Sequence, residues 1–187
     1  MRICYFEDII INSKRKGDDV LFSTFFQNAI NSFNESLSNN FSQLWIVIVL
    51  NIFFIVATYT DIKYMKIYDK FNIAMLLSRV VVIFINGIIL HNGLYIKDWI
   101  MGGAVIFLTF LLLGMYSGDR IAGDIKFGGN IGLWIGFYPS ILLVAITMVS
   151  NLIFRLITLN KKRIPLAPFF YFSYICLLVY YFVQIRG

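Results

Sequence analysis

Two aspartates, Asp61 and Asp124, each open an Asp-Ile-Lys tripeptide beside a long apolar run. Asp61 follows the apolar residues that begin near position 43, and Asp124 opens a new apolar segment soon after residues 100–116. Ionisable groups at the edge of hydrocarbon are costly and are therefore candidates for function. Two carboxylates held close together share one proton, because both cannot easily ionise. The ionised member can take a proton from water while the other donates to a carbonyl oxygen, which is aspartic-protease chemistry.

The lysines that follow these aspartates are poorly placed to neutralise them. Lys63 and Lys126 each lie two residues after an aspartate, and positions i and i+2 of a helix do not face each other. They could instead attract lipid headgroups or acidic substrate groups, or act only as topology signals. Arg120 could reach Asp124 at i+4, although Gly123 disfavours a continuous helix there. The simpler alternative is a solvated aspartate that caps a helix end.

The composition indicates a polytopic membrane protein. Of the 187 residues, 59% are hydrophobic and only 14% are charged. The net charge of +6 is better explained by cytoplasmic loops than by nucleic-acid binding. Cys4 and Cys176 form no metal-binding or disulfide pattern, and the single histidine, His91, falls in a loop at the opposite membrane face. We therefore expect no metal, no cofactor and no histidine-dependent triad.

The apolar residues fall into six segments that predict an all-α bundle of about six transmembrane helices. A hydrocarbon core of about 30 Å needs roughly 20 helical residues, and the fourth segment is shorter than that. Because helices tend to end before proline, Pro139 is expected to separate the fourth segment from the fifth. Residues 1–42 are predicted to be a polar and amphipathic region, and residues 43–187 the membrane domain. The segments are approximately 43–60, 72–90, 99–116, 124–137, 139–158 and 166–185.

The N-terminal region contains one stretch with helical spacing of apolar residues. The steps of three and four predict an amphipathic helix on the bilayer surface, with a partly ordered tail as the alternative. The residues on this face are Phe22, Phe25, Phe26, Ala29, Ile30 and Phe33.

Basic residues set the expected topology. They concentrate in residues 61–71, 117–126 and 155–163, whereas the intervening loops hold little positive charge. The positive-inside rule places these three loops in the cytoplasm, so Asp61 and Asp124 lie at the same membrane face. Six spans then put both termini outside. Arg79, within the second span, is expected to snorkel towards an interface or to pair with a carboxylate, and snorkelling is favoured.

Glycines follow Asp124 at steps of four. Gly128, Gly132 and Gly136 are expected to share one helical stripe with the aspartate. Small residues at this spacing let helices approach closely, so the face that bears Asp124 should pack tightly against a neighbour. Ordinary helix packing, without a catalytic role, would produce the same pattern.

Three motifs resemble those of the type IV prepilin peptidase family, intramembrane aspartic proteases of the GxGD group. "TDIKYMKIYDKFN" resembles the family's first aspartate segment, "AGDIKFGGNIGLWIG" its second, and "RIPLAPFF" the segment before its last span. The resemblance covers about residues 43–185 and implies that Asp61 and Asp124 are the catalytic pair. Gly123, Lys126, Gly128, Gly132 and Lys63 would support them.

The sequence departs from the family pattern at two places. Ile121 replaces the first glycine of GxGD, and Tyr68 replaces a proline. Gly118-Asp119 lies five residues upstream and is a competing register for the motif, but the Ile-Lys and the later Gly-Trp segment fit Asp124. The departures leave room for a weak enzyme, an inactive one or an unusual substrate.

The resemblance also implies an activity and a location. Such enzymes cut the leader of prepilins or pseudopilins at the cytoplasmic face of the bacterial cytoplasmic membrane. The cysteine-rich zinc insertion of larger members is missing, so a peptidase without methyltransferase activity is expected. The alternatives are a small proton- or cation-coupled transporter, and an inactive partner in pilus or secretion assembly. The sequence does not fix the oligomeric state.

Overall fold

The computed structural model describes residues 23–24, 27–38, 44–85, 96–117, 122–158 and 164–185. The regular structure in these ranges is helical throughout, which confirms the all-α membrane fold. The chain divides into two compact units, Met1–Glu35 and Ser36–Gly187. The domain boundary after residue 42 stays a prediction. His91, Asp119, Arg120 and Ile121 lie outside the described residues.

Six helices, α2 to α7, correspond to the six apolar segments. Of these, α2, α4 and α6 are long and apolar enough to cross a membrane, and α3, α5 and α7 are shorter. A further helix, α1, covers residues 27–38, while Phe22, Phe25 and Phe26 lie outside the described residues. The bounds are α2 Leu44–Tyr64, α3 Asp69–Phe84, α4 Ile96–Ser117, α5 Ala122–Ile135, α6 Phe137–Thr158 and α7 Ala167–Tyr180, which continues as a π-helical turn over Tyr181–Ile185.

The end of α2 differs from the sequence expectation. The helix runs to Tyr64, so Asp61 lies inside its last turn and not in a loop. Met65 stops it with φ of 51°, a left-handed conformation, and its N–H donates to the carbonyl oxygen of Asp61 at 2.9 Å. This is the αL type of helix end, in which the residue after the helix bonds back one turn. The helix therefore ends at Tyr64, three residues beyond Asp61, its first charged residue.

The helix α5 lies at the centre of the described bundle, where it contacts α3, α4 and α6. Its closest neighbour is α4, because glycines face each other between the two helices. A Cβ atom at Gly132 would overlap the carbonyl group of Gly102, and a Cβ at Gly128 would lie 2.8 Å from Ile106 Cγ2. Such pairs of small residues allow helix backbones to touch. Gly102 was not identified from the sequence, although "MGGAV" is visible within the third apolar segment.

The break between α5 and α6 lies at Gly136, not at Pro139. Gly136 has φ of 86°, which places it outside the helix, although its carbonyl group still faces Gly102 of α4 as the predicted glycine stripe requires. Glycine adopts this conformation without a steric cost, so it ends α5 directly. Pro139 lies in the first turn of α6, where its missing N–H removes no helical hydrogen bond. Two separate segments are confirmed, with glycine as the cause of the break.

Arg79 does not snorkel, because its side chain is only 2% exposed. Its guanidinium carbon lies 4.2 Å from the ring centre of Trp99 and 5.2 Å from that of Trp134. Asp98 also attracts this charge, and its carboxylate accepts the Phe137 N–H at 3.0 Å. Indole faces attract cations, so the two tryptophans hold the arginine inside the bundle. Arg79, Trp99 and Trp134 thus join α3, α4 and α5 near the start of α6.

Replacing Gly132 with valine should destabilise the protein. The added atoms meet a backbone carbonyl of α4, and overpacking of this kind costs about 1–3 kcal/mol. Thermal unfolding in detergent would measure the loss. Ala145→Val, on an exposed position of α6, is the matched control and should melt close to wild type. Equal melting temperatures for the two variants would contradict the proposed backbone contact.

Candidate active site

Asp61 is fully buried and is held at the start of α7. Its Oδ2 accepts the backbone N–H of Ala167, the first residue of α7, at 2.9 Å. The first N–H groups of a helix have no partner within that helix, and they carry partial positive charge. The segment "IPLAP" places this N–H, with Pro168 in the first turn as expected. The last turn of α2 and the first turn of α7 are thus joined through one carboxylate.

Asp124 is 2% exposed and lies in the first turn of α5. The preceding Gly123 packs on the turn between α2 and α3, where a Cβ would lie 2.8 Å from the carbonyl oxygen of Ile67. Asn72, on α3, donates from Nδ2 to the carbonyl oxygen of Gly123 at 3.4 Å. The glycine before the aspartate is therefore needed for close approach. It brings the start of α5 against the turn that directly follows Asp61.

Both aspartates face one interior layer of the bundle. The ring of Phe54 lies 5.7 Å from that of Phe127, which in turn lies 6.1 Å from that of Phe170. Asp61 follows Phe54 by seven residues and Asp124 precedes Phe127 by three, so each aspartate shares a helix face with its phenylalanine. Because Gly123 lies against Ile67 of the α2–α3 turn, the end of α2 that carries Asp61 and the start of α5 that carries Asp124 lie on the same side of these rings. The structure thus brings the two predicted residues to one region.

The two lysines of the Asp-Ile-Lys tripeptides point elsewhere. Lys63 is exposed and donates to the hydroxyl of Tyr59 at 3.0 Å. Lys126 forms an ion pair with Asp69 at 2.7 Å, and both side chains are about half exposed or more. Their exposure agrees with the rule that positions i and i+2 of a helix face different directions.

Two buried asparagines near Asp124 were not identified from the sequence. Asn130 donates from Nδ2 to the backbone oxygen of Asn72 at 2.9 Å, which ties α5 to α3. Asn72 in turn bonds to Gly123, as described above. The available signal was an amide side chain within an apolar segment, since such groups commonly bond between membrane helices. Together they fix the position of α5 against α3.

A cleft opens beside this region at the α2–α3 turn. Its volume is about 370 Å³, and it lies between the turn and the first residues of α5. It offers both peptide groups and charged side chains to a molecule that approaches from this end of the bundle. The lining residues are Tyr64, Met65, Lys66, Ile67, Asp69, Ala122, Gly123 and Lys126. Within the described part of the chain, no cluster of three histidine, cysteine or acidic residues could hold a metal ion.

Comparison with known proteins identifies a family. The sequence model of the type IV leader peptidase family matches residues 48–156, a range that includes both Asp61 and Asp124. No curated protein and no solved structure matches the chain.

The bond between Asp61 and Ala167 predicts different effects for two substitutions. Asp61→Leu leaves the buried N–H without this acceptor and should cost about 1–3 kcal/mol of stability. Asp61→Asn keeps an acceptor oxygen and should cost clearly less. Chemical unfolding in detergent would compare them, with Ile62→Leu on the exposed side of α2 as a control. If both Asp61 variants lose the same stability, the N–H bond is not what holds α7.

Proposed function

Because the chain belongs to the type IV leader peptidase family, we propose that it is an intramembrane aspartyl endopeptidase that removes the leader of prepilins or pseudopilins. Family membership and the apolar helices make it a membrane protease with a protein substrate. The assignment of an aspartyl mechanism is supported by one observation. Asp61 and Asp124 are both buried, and they face the same interior layer beside a polar cleft.

In the proposed reaction the carboxylate pair holds one proton. The ionised carboxylate takes a proton from water, and the water oxygen forms a bond to the carbonyl carbon of the peptide. The protonated carboxyl gives its proton to the carbonyl oxygen. In the second step the C–N bond breaks as the leaving amine takes a proton from the protonated carboxyl. One hydroxyl of the intermediate returns its proton to the ionised carboxylate as the carbonyl reforms. The pair acts as one titrating unit, so acid and base roles belong to both residues together.

The proposed site lies at the cytoplasmic face of the bacterial membrane. Lys63, Lys66 and Lys70 are exposed at the end of the bundle where the cleft opens, and Lys126 lies at its edge. Lys/Arg-rich ends of membrane helices stay in the cytoplasm. A substrate leader on that side would reach the cleft without crossing the bilayer.

The transporter alternative is less well supported. Both carboxylates lie in terminal helical turns, at one end of the bundle, and not in the middle of a span. Coupled carboxylates that carry protons or cations across a membrane are expected near the middle of the membrane-spanning helices. The family membership also favours proteolysis.

Cleavage of a prepilin from the same organism would test the proposal. The prepilin is co-expressed with wild type, Asp61→Asn, Asp124→Asn or Asp119→Asn, and the leader is followed by a change in gel mobility and by mass spectrometry. Asparagine keeps size and polarity but removes the titratable proton. General acid–base groups contribute about 10²–10⁴-fold, so the first two variants should lose at least about 100-fold. The third should cleave like wild type.

Two results would contradict this assignment. Loss of cleavage in Asp119→Asn with activity retained in Asp124→Asn would move the motif to the other register. A folded wild type that cleaves none of the organism's prepilins would favour the noncatalytic assembly role.

A further inference from the structure

A second, larger cavity lies on the membrane-facing side of the bundle. This lateral groove runs between α3 and α4 over the surface of α5 and has a volume of about 730 Å³. Ile73 and Leu76 form its α3 wall, and Phe107 and Leu108 form its α4 wall. Gly129 lies at its base, so the base carries little side-chain bulk. The shape and apolar walls fit one face of a helix, as in other helix-in-groove complexes.

One polar group in the groove points to a peptide. Asn72 lines the groove and is 4% exposed, and its Oδ1 has no hydrogen-bond partner among the described residues. An unpaired buried acceptor is costly, so a donor is expected when the groove is filled. A lipid acyl chain carries no N–H donor, whereas a peptide backbone does. Asn72 therefore favours a polypeptide over a lipid tail as the occupant.

The lateral groove is continuous with the cleft of the candidate active site. Asp69 and Lys126 line both cavities, and their ion pair lies between them. This pair is well exposed, and exposed ion pairs contribute little stability, so a bound chain could displace it at small cost. Asn72 also bonds to Gly123, the residue before Asp124. A chain that leaves the groove would thus enter the cleft that Gly123 lines.

We infer that the lateral groove binds the apolar helix of the membrane-inserted substrate, and that Asn72 accepts an N–H from the substrate where its helix gives way to the cleaved segment. This inference rests on the proposed protease function and adds a binding site outside the two aspartates. It separates two tasks: the groove holds the apolar helix, and the cleft receives the polar leader.

Filling the groove tests the inference. Ala104 is exposed on α4 and lines the groove, whereas Ala145 is exposed on α6 and does not line it. Ala104→Trp should lower cleavage of a full-length prepilin at least about tenfold, mainly through KM, and Ala145→Trp should leave it unchanged. A short peptide that contains the cleavage site but lacks the apolar helix should be cut equally by wild type and Ala104→Trp.

The asparagine has its own comparison. Asn72→Leu should raise KM for the prepilin, while Asn151→Leu, which replaces a buried amide on α6 outside the groove, should not. Asn72→Asp keeps the acceptor oxygen and should recover part of the loss. If Asn72→Asp and Asn72→Leu are equally impaired at equal melting temperature, the acceptor role is wrong.

Cross-linking gives a readout that does not depend on cleavage. Single cysteines at 104 or 145, with Cys4 and Cys176 replaced by serine, are combined with Asp124→Asn and a prepilin that carries one cysteine in its apolar helix. We expect a cross-link from position 104 at least about tenfold stronger than from 145. Equal cross-linking, with normal cleavage by Ala104→Trp, would overturn the inference and leave lipid as the occupant.

The outcomes separate the two proposals. If the wild type cleaves prepilin but position 104 shows no preferred cross-link, the protease function is supported and the groove is not the binding site of the substrate helix. If position 104 shows a preferred cross-link but the wild type cleaves no prepilin, helix binding in the groove is supported and the proposed protease activity is contradicted.

Discussion

The close backbone contact between α4 and α5 is the constraint on which the rest of the described bundle depends. The helix α5 has only 14 residues, which at 1.5 Å each gives about 21 Å, less than a hydrocarbon core of about 30 Å. A helix this short lies inside a ring of longer neighbours only if its backbone can approach them. Gly102 and Gly132 allow that approach to α4, and the bond between Asn130 and Asn72 fixes α5 to α3.

The position of α5 then determines what the aspartates can do. Asp124 lies at the start of this central helix, so its carboxylate is buried among neighbouring helices although it belongs to the end of its own. Asp61 reaches the same layer from α2, and the Ala167 N–H holds it there. A terminal helical turn thus meets two requirements that usually conflict. The carboxylates are shielded from bulk solvent, and Gly123, which precedes Asp124, still lines the cleft at the α2–α3 turn.

The sequence predicted much of this arrangement and failed at identifiable places. Apolar length located α2 to α7, and the repeated Asp-Ile-Lys located the two buried carboxylates, because both signals are local. The break between α5 and α6 was expected at Pro139, because proline is the stronger local signal for a helix end. In the structure Gly136 adopts the left-handed conformation that ends α5. Arg79 was expected at an interface because its two tryptophan partners come from α4 and α5, which the sequence cannot bring together. The roles of Gly102, Asn72 and Asn130 could not be predicted either, because their contacts join helices that are distant in the sequence.

The contact between Gly102 and Gly132 has a consequence for how this protein can diverge. When two side chains clash, a smaller residue at the second position can restore the fit, so substitutions at such a pair of positions are correlated. Here a side chain added at Gly132 meets the carbonyl group of Gly102, and a carbonyl group is present whatever residue occupies that position. No compensating substitution exists, and evolution can alter these two positions only by moving whole helices apart. The chain can therefore vary elsewhere in its motifs while this pair of glycines stays fixed.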